Sequence, residues 1–285
     1  MFRTISLVIA ALIISAAARA EGPDGRLKKI ADSKTINIAY RTDAAPFSFV
    51  DDKGQMAGFS VELCKRIVGS IEHELGMPDL NVNWMPVTVQ TRFFAIIEGK
   101  ADMECGASTV TLGRMKAVDF SSFIFVETTG LLTTKGSGLR SFSGIAGKKI
   151  AVIANTTNER AIRDQLKQHH IDATVIRFKS SDEAMPALES GEVDAIASDR
   201  RLLMSAASRA KDPKKLVLLA DELSFEPYGI TLPRNESALR HSVDTALSQL
   251  YRSKEFDGIF KRWFKGYGAP SPILRAVYIL GAIPD

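Results

Sequence analysis

The chain has 285 residues, 45% of them hydrophobic and 25% charged, and its 37 Lys and Arg residues outnumber its 33 Asp and Glu residues by a formal charge of +4. This composition suits a globular protein of one large domain or two lobes, and the small basic excess, without basic runs interleaved with aromatic residues, predicts no nucleic-acid partner. Two cysteines and four scattered histidines form no cluster with metal-ligand spacing, so we predict no metal and no other cofactor.

The first twenty residues are typical of a secretory signal peptide. Arg3 provides the positive start, residues 5–18 form an apolar run too short to span a bilayer, and "ARA" before Glu21 resembles a cleavage site. Loss of Arg3 and Arg19 would lower the formal charge from +4 to +2. These features predict a signal peptide at residues 1–20. Because the cleavage region has no cysteine for a lipid anchor, we also predict free diffusion in the periplasm.

From residue 35 onward, short β-branched runs alternate with amphipathic segments, which is the pattern of α/β units. The strands are predicted at residues 35–40, 80–85, 101–105, 149–153, 173–178, 193–197 and 216–219. The helices are predicted at residues 60–75, 90–98, 157–168, 181–189, 199–208, 236–251 and 254–264.

Two segments share one arrangement, "IIEGKADMECG" at residues 96–106 and "ALESGEVDAIASD" at residues 187–199. Each combines an apolar helix end, an acidic residue, a glycine that can stop the helix, and an aspartate that leads into a buried strand. The chain therefore repeats one kind of α/β unit, and we predict two lobes with one copy in each.

Two extended segments without helical periodicity, residues 123–138 and 225–234, connect the predicted lobes. They would let the chain leave the first lobe, build the second and return. We predict a signal peptide at residues 1–20, lobe 1 at residues 21–132 and 229–285, and lobe 2 at residues 133–228, with the ligand site in the cleft between the lobes. The apolar tail from residue 269 is expected to pack on lobe 1.

The two cysteines, Cys64 and Cys105, would lie in an oxidising compartment if the chain is exported. Their spacing permits one disulfide bond. Both could equally be small buried apolar residues, and the sequence leaves the choice open.

Several motifs, in this order, resemble those of one family: "APFSF", "GFSVELCKRI", "GKADMECGASTVTLGRMKAVDFS", "NTTNER", "LESGEVDAIASD" and "YGITL". The chain resembles periplasmic amino-acid-binding proteins of ABC importers, solute-binding family 3, up to about residue 270. Among them it is most similar to glutamate/aspartate-binding proteins, through "YRTDAAPFSF", "ECGAST" and "FIFVETTGLLT". The resemblance implies the two-lobed type II periplasmic-binding-protein fold, with α/β lobes joined by two extended hinge strands.

An amino acid enclosed in a closing cleft needs a partner for its carboxylate and one for its ammonium group. Arg114 suits the carboxylate because a guanidinium donates two parallel hydrogen bonds, although a lone arginine is usually solvated. The resemblance makes Asp199 the partner of the ammonium group, whereas the residues alone also permit a helix N-cap. Thr156 opens a helix whose free N–H groups favour an anion, and Thr109 and Ala107 would add contacts from lobe 1.

Two further arginines set the expected ligand preference. The resemblance places Arg41 and Arg92 near the distal carboxylate of an acidic amino acid, although either could be an ordinary surface charge. Four positions depart from the hydroxyl and imidazole contacts of the acidic-amino-acid binders, namely Val89, Ala107, Ile153 and Ser181. The pocket is therefore expected to be less polar, which weakens the preference for glutamate over a neutral ligand.

The sequence thus predicts a monomeric periplasmic protein that binds a polar amino acid, glutamate or aspartate above others, and delivers it to the membrane permease subunits of an ABC importer. It is not expected to be an enzyme. The competing interpretation is a cyclohexadienyl or arogenate dehydratase on the same scaffold, which needs a carboxylic acid in the cleft as proton donor. Glu127, Glu183 and Glu226 are the candidates for that role.

Overall fold

Helices and strands alternate along most of the chain. The computed structural model describes residues 23–284, so the predicted signal peptide lies outside the described residues. The helices are α1 Gly25–Ser33, α2 Phe59–Leu75, α3 Arg92–Ile97, α4 Thr157–Gln168, α5 Ser181–Ser190, α6 Arg200–Ser208, α7 Ser237–Tyr251, α8 Lys254–Phe264 and α9 Pro272–Gly281. The strands are β1 Thr35–Arg41, β2 Asp43–Ala44, β3 Ser48–Val50, β4 Met56–Ala57, β5 Asn81–Val87, β6 Met103–Cys105, β7 Asp119–Thr134, β8 Lys149–Ile153, β9 Thr174–Phe178, β10 Ala195–Asp199, β11 Leu216–Leu218 and β12 Phe225–Leu232.

The larger sheet has the strand order β5-β1-β6-β12-β7-β10-β8-β9, and β11 also pairs with β7. β1 is parallel to β5 and β6, while β8 is parallel to β9 and β10. The antiparallel strands β7 and β12 lie between these two parallel groups. Each parallel group belongs to one α/β lobe, so the predicted fold class is confirmed.

The long strand β7 passes from one lobe to the other. Thr128 pairs with Phe225 of β12, whereas the next residue, Thr129, pairs with Asp199 of β10. β7 and β12 coincide with the two extended segments predicted from the sequence to connect the lobes. The lobe boundaries after residues 132 and 228 remain predictions.

The second lobe has a core on both faces of its sheet, since alternate residues of a strand point to opposite faces. Ala151 and Ile153 of β8 lie in the cluster under α5 and α6. Ile150 and Val152 lie in the cluster on the other face, together with Ile162 of α4. The first lobe buries a larger cluster that includes the rings of Phe47, Phe59, Phe125, Tyr228 and Phe264.

The apolar tail packs on the first lobe, as expected. Leu274 and Tyr278 of α9 are buried in the core of that lobe. The Tyr278 hydroxyl donates to the Ile124 carbonyl at 3.3 Å, and the Ser248 hydroxyl donates to the Ile283 carbonyl at 2.8 Å. Within residues 23–284, no helix combines the length and apolarity that crossing a membrane requires.

Cys64 of α2 and Cys105 at the end of β6 form a disulfide, with their Cα atoms 6.3 Å apart. Both residues are also completely buried. Both interpretations left open by the sequence are therefore correct, since the two cysteines are buried in the core and are also bonded to each other. The bond joins the helix that covers the first lobe to the strand that leads into "GASTVTLGR".

We expect the double variant Cys64→Ala, Cys105→Ala to lose about 2–4 kcal/mol of unfolding free energy, because the bond closes a long loop in the unfolded chain. The bonded cysteines are 41 residues apart. Urea unfolding of oxidised protein, reduced protein and the double variant measures the effect. Reduction should destabilise the native sequence and leave the variant unchanged; equal stability of all three would contradict the expectation.

Candidate ligand-binding site

A cavity lies between the two lobes. The space inside it that the centre of a water-sized sphere can occupy is about 20 Å³, so the cavity is nearly closed in this structure. All seven residues predicted for the site are among those lining it, although no ligand contact tests their roles. The lining residues are Arg41, Asp43, Val89, Arg92, Ala107, Thr109 and Arg114 from the first lobe, and Ile153, Thr156, Thr157, Asn158, Ser181, Ser198, Asp199 and Leu202 from the second.

Three arginines approach this cavity from the first lobe. Arg92, at the start of α3, is 3% exposed, and its Nε atom has no hydrogen-bond partner among residues 23–284. Burial, followed by the nearby charges of Arg41 and Arg114, lowers the pKa of Arg92 to about 9. Its guanidinium is still charged at neutral pH, so these positive charges favour an anionic group in the cavity.

Arg114 is not the solvated surface residue that a lone arginine could have been. Its Nη1 atom donates to the Thr109 carbonyl at 2.6 Å, and its guanidinium carbon lies 4.9 Å from the centre of the Phe93 ring. Burial lowers the pKa of Arg114, whereas the carboxylates of Glu226 and Glu104 favour its charged form. The Thr109 carbonyl and the Phe93 ring thus hold the guanidinium at the cavity wall.

Asp199 approaches the cavity from the second lobe. It is the last residue of β10 and directly precedes α6, but its side chain makes no capping hydrogen bond to that helix. Its Oδ1 atom accepts a hydrogen bond from Nδ2 of Asn158 at 3.1 Å instead. Asp199 thus occupies the N-cap position of α6 without capping the helix through its side chain, and its carboxylate lies on the cavity wall.

The surroundings of Asp199 disfavour its charged form. It is 6% exposed. Burial, together with the nearby carboxylates of Glu226 and Glu127, raises the pKa of Asp199 to about 7. The neighbouring cation Arg201 donates to Glu127 at 2.6 Å. A cationic group in the cavity would compensate the Asp199 carboxylate and favour its ionisation.

Hydroxyl groups face each other across the cleft. The Oγ1 atoms of Thr109 and Thr157 are 3.2 Å apart, and the Thr157 hydroxyl donates to Oε2 of Glu226 at 2.5 Å. Thr156 lines the cavity, but its hydroxyl accepts from the Glu159 N–H at 3.1 Å and donates to the Ile153 carbonyl at 2.7 Å. Its side chain caps α4, so the hydroxyls of both Thr156 and Thr157 already have partners within the protein.

The apolar part of the cavity matches the departures seen in the sequence. Val89, Ala107 and Ile153 line it, joined by Leu202, which the sequence did not indicate. Such a surface suits the methylene groups of an amino-acid side chain. Asn158 was missed too, although it lies inside the motif "NTTNER".

The lobes are closed on each other in this structure. Val89, from the first lobe, packs with the cluster of Ile153 and Leu203 in the second lobe. The neighbouring Gln90 donates from Nε2 to the Lys179 carbonyl of the second lobe at 3.0 Å. These two contacts join the lobes at the rim of the cavity.

The three candidate proton donors do not line this cavity. Glu127 accepts a hydrogen bond from Arg201. Glu183 accepts from the Lys179 N–H at 3.0 Å, and Glu226 accepts from the hydroxyls of Ser224 and Thr157. Glu127 and Glu183 are therefore engaged away from the cavity, whereas Glu226 lines an adjoining cavity that shares Thr109, Arg114, Thr156 and Thr157.

Two α/β lobes that are joined by crossing strands and close around a small charged cavity define a two-lobed solute-binding protein. The family model of bacterial extracellular solute-binding proteins, family 3, matches residues 36–266. The chain belongs to this family.

Curated relatives cover most of the chain. The L-glutamate/L-aspartate-binding protein of Pseudomonas aeruginosa is 34% identical over 261 residues, 91% of this chain and 86% of the relative. The glutamate/aspartate import solute-binding protein of Escherichia coli is 30% identical over 92% of this chain and 86% of its own length. The glutamine-binding protein GlnH of Bacillus subtilis is 28% identical over 93% of this chain and 97% of its own length.

Solved structures agree on the fold. An ancestral arginine-binding protein bound to arginine superposes with a TM-score of 0.72 at 27% identity, covering 81% of this chain and 98% of the other. Together with the curated relatives, this similarity shows that the chain is a solute-binding protein for amino acids in ABC transport. The curated relatives are transport-binding proteins, so the chain is a binding protein and not an enzyme.

Proposed function

We propose that the chain captures L-glutamate or L-aspartate in the periplasm and delivers it to the permease subunits of an ABC importer. The charge of the cavity carries this proposal. Its ionisable lining side chains are three arginines and two aspartates, Arg41, Arg92, Arg114, Asp43 and Asp199. When all are ionised they leave one positive charge, which a ligand with two carboxylates and one ammonium group neutralises.

Each group of the ligand then has a partner of opposite charge. The α-carboxylate pairs with Arg114, and the α-ammonium group pairs with Asp199 on the opposite lobe. The distal carboxylate lies towards Arg41 and Arg92, while Thr109, Ala107 and the start of α4 at Thr156 complete the contacts. Arg92 supports this arrangement because its buried Nε atom lacks a partner among the described residues, and a ligand oxygen could accept from it.

The ligand would stabilise the closed form because it contacts both lobes. In our proposal, lobe 1 (residues 21–132 and 229–285) and lobe 2 (residues 133–228) move about β7 and β12. The contacts of Val89 and Gln90 close the rim only when the lobes meet. A monomer suffices for this mechanism, since both walls of the cavity come from one chain.

The function is tested by thermal unfolding and calorimetry of the purified protein with each of the twenty amino acids. A ligand that binds only the folded form at one hundred times its Kd adds about 2.7 kcal/mol of stability, and so raises Tm by about 5–10 °C. Glutamate and aspartate should give the largest shifts. A larger shift with arginine, lysine or an apolar amino acid would refute the proposed preference, and no shift with any amino acid would refute the function.

Binding should weaken about tenfold from pH 8 to pH 6, because the free site then has to release the proton of Asp199. The pKa of Asp199 in the ligand-free protein is about 7, owing to burial and to Glu226 and Glu127, and an ammonium group beside it would lower that value. The ligand's own carboxylates stay ionised over this range. Calorimetry in buffers of different ionisation enthalpy measures both affinity and released protons.

Close to half a proton should leave the protein per ligand bound at pH 7. The variant Asp199→Asn is the control, since it has no proton to lose at this position. An affinity independent of pH between 6 and 8 in the native protein would contradict the role of Asp199.

A further inference from the structure

One of the cavity arginines is already paired with a carboxylate. Nε of Arg41 donates to Oδ1 of Asp43 at 2.6 Å, and the two side chains are 6% and 15% exposed. Both line the cavity. Arg92 and Arg114 line the same cavity, and within residues 23–284 neither forms an ion pair with a carboxylate. Arg41 therefore meets a ligand while in direct contact with a carboxylate, whereas carboxylates act on Arg92 and Arg114 without such a contact.

The local backbone holds Asp43 in this position. It lies on β2, where it pairs with Phe49 of β3 in the small sheet β2-β3-β4. The Ser48 hydroxyl accepts from the Arg41 N–H at 2.9 Å and donates to the Arg41 carbonyl at 3.0 Å. Because both ends of the Arg41–Asp43 segment are held, the carboxylate stays beside the guanidinium rather than turning to solvent.

Two consequences follow for a distal group bound near Arg41. The Nε–H donor is used by Asp43, so the guanidinium offers its Nη atoms to a ligand. The carboxylate of Asp43 also repels a ligand carboxylate and can accept a hydrogen bond from a ligand amide. Charges a few ångströms apart inside a protein interact strongly enough to change a selectivity ratio about tenfold or more.

We propose that Asp43 is a specificity-determining residue that lowers the preference of the cavity for a distal carboxylate over a distal amide. The substrate class would then be the acidic amino acids together with their amides, glutamine and asparagine. This inference rests on the proposed function, because it concerns the side-chain end of an amino acid held by Arg114 and Asp199.

The test compares glutamate with glutamine, and aspartate with asparagine, by calorimetry on the native protein and on Asp43→Asn. The asparagine oxygen can still accept from Arg41 Nε, so the variant removes the charge and keeps the arginine in place. We expect the ratio of Kd for glutamine to Kd for glutamate to rise about tenfold. Asp43→Ser, which is smaller and uncharged, is the second variant if the first does not fold.

Asp52→Asn is the matched control. Asp52 is an exposed residue beyond β3, on the outer groove that Asp43 also lines, so its substitution changes the net charge equally. In Asp52→Asn, the ratio of Kd for glutamine to Kd for glutamate should stay within twofold of the native value. A rise in the Asp43 variants alone supports the proposal; an unchanged ratio in them, or an equal rise in Asp52→Asn, overturns it.

The two proposals fail in different ways. If the native protein binds none of the four ligands, the proposed function is wrong. If it binds glutamate tightly and the Asp43 variants keep its selectivity, the function stands and the role of Asp43 is wrong.

Discussion

The variant Arg114→Ala should bind glutamate or aspartate at least about thirtyfold more weakly than the native protein. Removing one member of a buried, hydrogen-bonded charge pair costs about 2–5 kcal/mol, and each 1.4 kcal/mol is a factor of ten. The ligand's α-carboxylate would lose its charged partner while remaining enclosed. Titration calorimetry at pH 8, where Asp199 is mostly ionised, measures the loss without a contribution from its protonation.

Two comparisons separate this role from a general effect of charge. Arg160→Ala removes a positive charge from a guanidinium that is 84% exposed on α4, and should change affinity less than twofold. Arg114→Lys keeps the charge and loses the planar fork, so its affinity should fall between those of the native protein and of Arg114→Ala. Native-like binding by Arg114→Ala would remove the assignment of the carboxylate partner.

The variant Arg114→Ala should keep the native fold. Arg114 begins a single 3₁₀ turn, and its side chain makes one hydrogen bond, to the Thr109 carbonyl. An alanine leaves that carbonyl without its donor and removes a cation near the buried carboxylates of Glu226 and Glu104. Circular dichroism should stay native-like, and thermal unfolding without ligand measures how much stability the lost cation contributed.

Elements with long periodicity and clear end signals could be predicted from the sequence. The helices α4 Thr157–Gln168 and α8 Lys254–Phe264 have the predicted bounds, since each has an apolar stripe and a Ser or Thr before its first turn. The strand β8 Lys149–Ile153 is a short buried run with equally clear ends. The crossover strands were recognisable because extended, β-rich segments of that length contain no helical period.

Other features depend on contacts that a one-dimensional pattern does not contain. The strands of the sheet β2-β3-β4 have two or three residues each, too few for an alternation to be visible. Asp199 was predicted at the carboxyl edge of a sheet, between the strand "VDAIA" and the start of α6. Its long-range pairing with Thr129 of β7, which the sequence pattern does not contain, makes it the last residue of β10.

Some residues of the candidate site could likewise be predicted from the sequence, and others could not. Types of residue with a strong chemical reason, such as Arg114 and Asp199, could be named from the sequence and lie on the wall of one cavity. Asp43 could not be recognised, because its importance comes from the 2.6 Å contact with Arg41. The disulfide was similarly undecided until the structure placed Cys64 against Cys105.

The variant Asp199→Asn should weaken binding of the amino acid by about thirtyfold to several thousandfold at pH 8, because the enclosed ammonium group would lose its counter-charge. The same variant should make the ligand-free protein more stable. The ionised carboxylate is buried near Glu226 and Glu127, which is unfavourable without a cation. Asparagine can still accept the hydrogen bond from Asn158 that now reaches Oδ1.

The pH dependence fixes the sign of this stability effect. The pKa of Asp199 rises on folding from 3.8 to about 7, so between these values the folded state binds more protons than the unfolded state. The free energy of unfolding of the native protein therefore falls as the pH rises from about 4 to 7, and the carboxylate is fully destabilising above that range. A shift of about three pKa units corresponds to roughly 4 kcal/mol, an upper bound for the gain in the variant.

Urea unfolding of ligand-free native protein and Asp199→Asn at pH 4 and pH 8 measures the difference. At pH 4 the Asp199 carboxyl is protonated in the folded state and about half protonated in the unfolded state, so the two proteins should have similar stability. At pH 8 the variant should be more stable by about 1–4 kcal/mol while binding the ligand far more weakly. A variant that loses stability at pH 8 would mean that the carboxylate is already compensated within the protein, and the reason for expecting a ligand cation at this position would then disappear.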